Sequence, residues 1–357
     1  MRCDGRVPRL PGMVGVSDVE KRGRRRGELT VAAVARMAGV SAPTVSKVLN
    51  GRAGVAPQTR QRVEEVLREH GYRRPDAVSS VAMLEVVFHA LENQIAIEIM
   101  RGVERVAREH ELAVGFSEMR GREFAGRTWL EQVLARRPAG IIAVFAESTP
   151  EQYAKLAASA IPVVALDPTG EPLHTTPSVG ATNWSGGVAA TRHLIELGHT
   201  RIATITGPLD YLCARARLDG FRAAMDAANL SIGADMLRTG QFDVTTGLVE
   251  GRALLGLRNR PTAVVCGNDL QALGVYEAAR QAGLSIPHDL SVVGFDDLAY
   301  ARWCGPTLTT VRQPFEDMGE TAARVVLGLA AGDCPANPRV ELATSLIARE
   351  STAAPPA

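Results

Sequence analysis

The sequence predicts two folded parts in series: an N-terminal all-α helix-turn-helix domain, then a larger α/β domain of two lobes built on parallel sheets. Three observations carry this prediction. Short bursts of apolar residues at helical spacing fill residues 29–75. Beyond residue 84, short β-rich runs alternate with helix-length amphipathic runs. Charge is also divided unevenly: residues 1–75 hold 16 Lys+Arg against 7 Asp+Glu, while the rest hold 24 against 32, so a net +1 hides +9 and −8. A basic end on an acidic body points to a polyanion partner at that end.

Totals narrow the class further. A chain of 357 residues is too long for one small domain, and 46% apolar with 22% charged residues is ordinary for a globular protein. No apolar run reaches the roughly 18 residues of a membrane span, and no apolar leader precedes a small-residue cleavage site. Cys3, Cys213, Cys266, Cys304 and Cys334 stand far apart with no Cys-x-x-Cys pair, which argues against a disulfide framework or a zinc site. The expectation is a cytoplasmic protein with no membrane contact, no metal and no cofactor.

Residues 1–28 contain Pro8, Pro11 and the run Lys21-Arg22-Gly23-Arg24-Arg25-Arg26 without an apolar period, so a disordered basic arm is expected. In residues 29–75, Val31, Val34, Ala35 and Ala38 share one helical face, and Gly39 turns the chain. Ser41 reads as the N-cap of a second helix reaching Leu49, with Val45, Val48 and Leu49 inward. A third helix from about Pro57 to His70 buries Val63, Val66 and Leu67. Residues 76–83 read as a hinge or linker. The α/β part, 84–350, offers strands at Leu84–His89, Ala113–Phe116, Gly140–Phe145, Pro162–Asp167, Arg201–Thr206, Ala263–Gly267 and Ser291–Phe295. Helices are expected near Ala96–Glu109, Gly186–Leu197, Ala214–Asn229, Val244–Leu257 and Asp269–Ala282. Strands separated by helices imply parallel sheets covered on both faces.

Helix, tight turn and capped second helix make a unit whose second helix can enter a major groove. Its exposed first turn presents Ala42, Pro43 and Thr44, with Lys47 on the same side. Small apolar groups there suit thymine methyls, and Lys47 can donate to guanine acceptors. Thr30, Ser41, Ser46 and Asn50 carry groups suited to phosphate oxygens, which set register. The plainer alternative is a helical cap with a solvated face. Three later segments suit a ligand cleft, since parallel sheets bind ligands beyond the carboxyl ends of their strands. Asp167 follows the run Val163–Leu166, Arg217 lies in a helix opening, and Asp269 follows Val265-Cys-Gly-Asn268. A carboxylate with an arginine suits a polyol. Alternatively, Asp269 is a helix N-cap, Arg217 pairs with Asp219 or Glu250, and Asp167 shapes a turn before Pro168.

These residues resemble the lactose/galactose repressor (LacI/GalR) family of bacterial transcription regulators. The matching runs are Val34-Ala35-Arg36-Met37-Ala38-Gly39-Val40-Ser41, Thr44-Val45-Ser46-Lys47-Val48-Leu49-Asn50-Gly51, and Thr59-Arg60 through Gly71-Tyr72-Arg73-Arg74-Pro75. The likeness continues through Gly186-Gly187, Leu197-Gly198-His199, Ser291–Asp297 and Leu308–Gln313, and so spans nearly everything after residue 28. It implies a periplasmic-binding-protein-like domain with a first lobe of about 84–183 plus 310–332 and a second of 184–309 plus 333–350. It implies that Arg217 of Arg-x-x-Gly-aromatic and Asp269 of Asn-Asp-x-x-Ala-x-Gly contact an effector, with Asp167, Asn93, Phe242 and Trp184 as further candidates. In the family, the segment after the Arg-Pro pair inserts an apolar side chain into the minor groove. Here that segment reads Asp76-Ala-Val-Ser-Ser-Val-Ala-Met83 and departs from the pattern, leaving Val81 or Met83 as the wedge.

The function so implied is a homodimeric repressor on a pseudo-palindromic operator of double-stranded DNA. A mono- or oligosaccharide effector would control it, for a carbohydrate-utilisation operon. An extracytoplasmic sugar-binding protein of a transporter is the alternative, because the sensing fold is shared. An α/β sugar-processing enzyme is disfavoured, since no Gly-x-Ser-x-Gly elbow, P-loop or His-Glu-x-x-His occurs.

Overall fold

The structure is a computed structural model that describes residues 30–49, 54–70, 82–89, 91, 94–119, 129–145, 152, 155–156, 158–170, 176–333 and 339–356. The chain divides into two compact units, Met1–Ser80 and Val81–Ala357. The arm 1–28, most of the linker 76–83 with Val81, and also Asn50, Asn93, Cys3 and Cys334, lie outside the described residues.

In the first unit, helices α1 (Val31–Ala38), α2 (Ala42–Leu49) and α3 (Pro57–Glu69) share one core of Val34, Ala35, Ala38, Val45, Val48 and Val63. Gly39 ends α1 at φ +64°, where a Cβ would be strained, and that left-handed residue makes the turn possible.

The second unit holds two six-stranded sheets. The first has the order β11-β5-β4-β3-β1-β2, built from β1 (Met83–Phe88), β2 (Ala113–Glu118), β3 (Gly140–Val144), β4 (Val163–Leu166), β5 (Ser178–Ala181) and β11 (Arg339–Leu342). The second has the order β12-β10-β9-β8-β6-β7, built from β6 (Ile202–Thr206), β7 (Leu237–Thr239), β8 (Ala263–Cys266), β9 (Ser291–Asp296), β10 (Thr309–Arg312) and β12 (Ser345–Ile347). All pairings are parallel except β10 with β12.

Helices α4 (Gln94–Glu109), α5 (Trp129–Arg136), α6 (Asn183–Glu196), α7 (Leu212–Ala227), α8 (Val244–Leu255), α9 (Asp269–Gln281), α10 (Tyr300–Trp303) and α11 (Phe315–Ala331) accompany the sheets. The period of two along each strand explains the layering. Ile202, Val265, Val293 and Phe295 join the core under α6 and α7, while Ala203, Ile205, Val264 and Val292 join that under α8 and α9. In the first lobe, Leu84 and Val86 join the core with α4 and α11, whereas Val87 and Ile141 meet Leu130 and Val133 of α5.

Two expectations are corrected. β10 belongs to the second sheet and β11 to the first, where it pairs with β5, so residues 310–312 and 339–342 exchange lobes relative to the sequence reading. The chain therefore passes between lobes three times: after β5, between β10 and α11, and between β11 and β12. Met83 is no wedge, because it is the first residue of β1 and stands in register with Ala113.

Candidate functional site

The helix-turn-helix presents the face the sequence suggested. Ala42, Pro43, Ser46 and Lys47 are exposed along one side of α2, and Thr44 is half-buried beside them. Two candidates have a local task as well. Thr30 Oγ1 caps α1 by accepting from Ala33 N at 3.2 Å, and Ser41 Oγ accepts from Thr44 N at 3.3 Å and bonds the Thr44 hydroxyl at 2.8 Å. Each hydroxyl is a second acceptor for a first-turn N–H that also donates to the same residue's carbonyl, Ala33 N to Thr30 O at 2.8 Å and Thr44 N to Ser41 O at 2.9 Å.

In the second unit a cleft of about 520 Å³ opens at the carboxyl ends of both sheets. Phe145 and Asp167 reach it from the first lobe; Tyr211, Cys213, Arg217, Phe242, Asn268 and Asp296 reach it from the second, and Gln313 from the passage between them. A backbone bond from Leu212 N to Thr169 O, 2.8 Å, joins the lobes beside it.

Arg217 is the centre of this cleft. Its Nε donates to Asn183 Oδ1 at 2.8 Å, its Nη1 donates to Gly267 O at 2.5 Å, and its Nη2 lies 3.8 Å from Asp296 Oδ1. The guanidinium also stacks 3.7 Å from the Phe295 ring centroid and 5.6 Å from that of Phe242. A planar cation so clamped is a fixed donor. Burial pushes the Asp167 carboxyl up to about 6, with Arg217 pulling the other way, and Asp296 is raised for the same reason. Gln313 Nε2 donates to Asp296 Oδ1 at 2.7 Å, while its Oε1 has no hydrogen-bond partner among the described residues. One cation between two acids, edged by aromatic rings, suits a hydroxylated neutral molecule more than an anion. Phe145, Asp167, Phe242 and Asp296 all hold positive φ (+50°, +46°, +59° and +114°), a concentration of backbone strain typical of binding sites.

The structure thus brings Asp167, Arg217 and Phe242 together and leaves two sequence candidates elsewhere. Asp269 is fully buried and does not line the cleft, nor is it the cap of α9: Asn268 is, accepting from Gln271 N at 2.9 Å. Trp184 is half-exposed on the outer surface beside Val188 and Arg192. Asn268, Asp296 and Gln313 take their places. Their signal was present as polar residues closing apolar strand runs, in Val265-Cys-Gly-Asn268 and Val293-Gly-Phe-Asp296. Cys213 lines the cleft with its thiol pushed up to about 12 by burial, so it stays protonated. Among the described residues no acid, histidine and cysteine cluster suits a metal ion, and no helix is long and apolar enough to cross a membrane.

Comparison with known proteins agrees with both parts. The description "Bacterial regulatory proteins, lacI family" matches residues 30–75, and "Periplasmic binding protein-like domain" matches residues 191–352. The ribose operon repressor of Escherichia coli (strain K12) is 36% identical, over 90% of this chain and 99% of that protein. Among solved structures, the transcriptional regulator CelR–cellobiose complex aligns with a TM-score of 0.67 at 30% identity, covering 91% of this chain and all of that one. The lac repressor dimer bound to operator and the anti-inducer ONPF aligns at 0.68 with 29% identity, covering 92% and 100%.

Proposed function

This chain belongs to the LacI family of DNA-binding transcription regulators, and on that premise we propose that it is a sugar-responsive homodimeric repressor acting on DNA in the cytoplasm, at the nucleoid. Two copies of α2 read the half-sites of a pseudo-palindromic operator, with Lys47 donating to a base and Thr30, Ser41 and Ser46 facing phosphates. The observation that carries the sensing half is Arg217, fixed by Asn183, Gly267 O and the Phe295 ring in a cleft that Asp167 of the first lobe and Asp296 of the second also line. A monosaccharide or short oligosaccharide bound there favours one arrangement of the lobes, and only such differential binding can change operator affinity. Pentose or glucoside chemistry, and a carbohydrate-utilisation operon as target, are supported by the relatives named for ribose and bound to cellobiose.

The second copy has a face prepared for it. Ile97, Phe116 and Leu91 are exposed around an apolar hollow of about 710 Å³ on α4 and the β2 edge. A transporter's sugar-binding protein is not favoured, because the helix-turn-helix match has no place in that reading. The family comprises regulators, not enzymes.

The test uses operator fragments selected from genomic DNA, with D-ribose and cellobiose as probes. Lys47→Ala should weaken specific binding by about 1–3 kcal/mol while sparing nonspecific attraction. Arg217→Ala should leave operator binding intact and abolish the sugar response. Sequence-indifferent binding by the wild type would overturn the operator half, and a retained response in Arg217→Ala the cleft half.

A further inference from the structure

The backbone passages between the lobes lead, through hydrogen bonds, to one side chain in the cleft. The first passage, from β5 into α6, is Thr182-Asn183. A threonine just before a helix ordinarily caps it by accepting from the first turn. Thr182 makes no such bond. Its hydroxyl instead accepts from Thr344 N at 2.9 Å, in the third passage, and lies 3.1 Å from the Thr344 hydroxyl. That hydroxyl donates to Thr182 O at 3.2 Å, and Thr182 N donates to Leu342 O at 2.9 Å. The first and third passages are thus laced together by a reciprocal pair of threonines.

Asn183 carries this knot into the cleft. It is buried at the first position of α6, and its amide is used on both sides. Nδ2 donates at 3.1 Å to the carbonyl of Ala181, the last residue of β5, and Oδ1 accepts from Arg217 Nε at 2.8 Å. The second passage arrives from the opposite side. Gln313 Nε2 donates at 2.7 Å to Asp296 Oδ1, the same oxygen that lies 3.8 Å from Arg217 Nη2. Gly267 O and the Phe295 ring also hold the guanidinium, but both belong to the second lobe and travel with α7. Asn183 differs from them by its place. It is the terminal residue of an element at a passage, where a turn of one lobe against the other is absorbed by the backbone.

We infer that Asn183 is a positioning residue of the cleft: fixed to Ala181 O at the first passage and locked to the third through Thr182 and Thr344, its amide aims the Arg217 guanidinium. A change at the passages therefore changes the direction of the donors that meet a ligand. Its bearing on the effector response rests on the cleft being the sugar site, whereas the aim of the guanidinium is a physical statement of its own.

The Nε–H of Arg217 reads that aim without any ligand. In 15N spectra of the full-length protein it is the arginine side-chain signal that Arg217→Lys removes. Asn183→Ala should speed its exchange with water by about tenfold or more, by freeing the donor. Asn183→Asp keeps an acceptor for Nε and should leave the signal protected. Thr182→Val loses the acceptor for Thr344 N and should speed exchange by about threefold, while Thr182→Ser should restore the wild-type rate. Calorimetric affinity for D-ribose should fall by about threefold to tenfold in Asn183→Ala, the worth of holding one rotamer-rich side chain in advance. Unchanged Nε–H exchange in Asn183→Ala would overturn the proposal, and so would equal acceleration in Asn183→Asp, since loosened packing and not a lost acceptor would then be the cause. Should Asn183→Ala fail to fold, the threonine pair decides, and a wild-type rate in Thr182→Val would overturn the lock. Fast exchange with full D-ribose affinity would break the tie to binding. If the wild type ignores D-ribose, the exchange arm still decides the aim of Arg217, and only the choice of sugar fails.

Discussion

Asp167 shows what a buried carboxyl in the cleft costs the fold. Burial raises its carboxyl from the usual 3.8 to about 6, against the pull of Arg217. A group whose folded value lies above its unfolded value favours the folded state most when protonated. That contribution is complete below about pH 4 and is lost as pH rises through about 6. Asp167→Asn removes the charge, so it should stabilise the ligand-free protein at pH 8 by about 1–3 kcal/mol, with roughly half that gain at pH 5. Paired thermal melts of the two proteins at each pH check this, and an equal gain at both would show that charge burial is not the cause. The difference between variants is the required readout, because His199 acts with the opposite sign. Its imidazole is lowered by burial among Thr262, Ser291 and Ala353, so it withdraws stability as pH falls below about 6.5. Ligand affinity should follow Asp167 differently: sugar hydroxyls donate best to carboxylates, so binding should weaken as pH falls through 6.

At the scale of the element, α6 and α7 place Arg217, and they do so by touching backbone to backbone. A Cβ on Gly187 would lie 2.3 Å from Arg217 O, and one on Gly220 would lie 2.2 Å from Trp184 O. Gly187→Ala should push the helices apart, costing about 1–3 kcal/mol in a denaturant melt and displacing the Arg217 fork. Sugar affinity should fall with it while operator binding persists; unchanged affinity would mean that the fork tolerates the shift. Much at this scale was legible in the sequence. Short β-rich apolar runs marked β1, β3, β4, β6, β8 and β9, and Gly39 with Ser41 marked the turn into α2. The helix Phe315–Ala331 carries an apolar period as clear as those, in Phe315, Met318, Ala322 and Val326. The edge strand Arg339–Leu342 does not, because its alternating charges read equally as loop, and its sheet is decided by a distant pairing with Ser178–Ala181. Asp296 was not legible as a cleft residue for a related reason. Asp269 and Asp296 each follow a buried strand, but φ +114° at Asp296 turns the chain so that this residue lines the cleft, whereas Asp269 enters α9 and bonds inward. Backbone sign at a non-glycine residue is set by packing and leaves no local trace.

For the whole molecule, the question is how two reading helices reach one operator. A single α2 offers few base contacts, so useful affinity requires two half-sites engaged together. The apolar face on α4 and β2 is the surface whose cover would achieve this, since Ile97 and Phe116 are 56% and 62% exposed. Solvated apolar area of this kind is the usual mark of an interface. Charges stand at its margin, Arg101, Glu104 and Arg108 among them, and set orientation more than strength. Phe116→Asp puts an unpaired charge into that face without disturbing a core, because β2 is an edge strand of the first sheet. Sedimentation equilibrium should then report a monomer, while the melting temperature of the α/β unit and its sugar affinity stay near wild type. Operator affinity should drop by about 100-fold or more, because the second half-site is no longer tethered to the first. Raising the protein concentration should restore occupancy in the variant, and that recovery separates lost tethering from a damaged helix-turn-helix. A variant that stays dimeric with full operator affinity would place the joining surface elsewhere, with the exposed Val249 and Trp303 of the second lobe next in line.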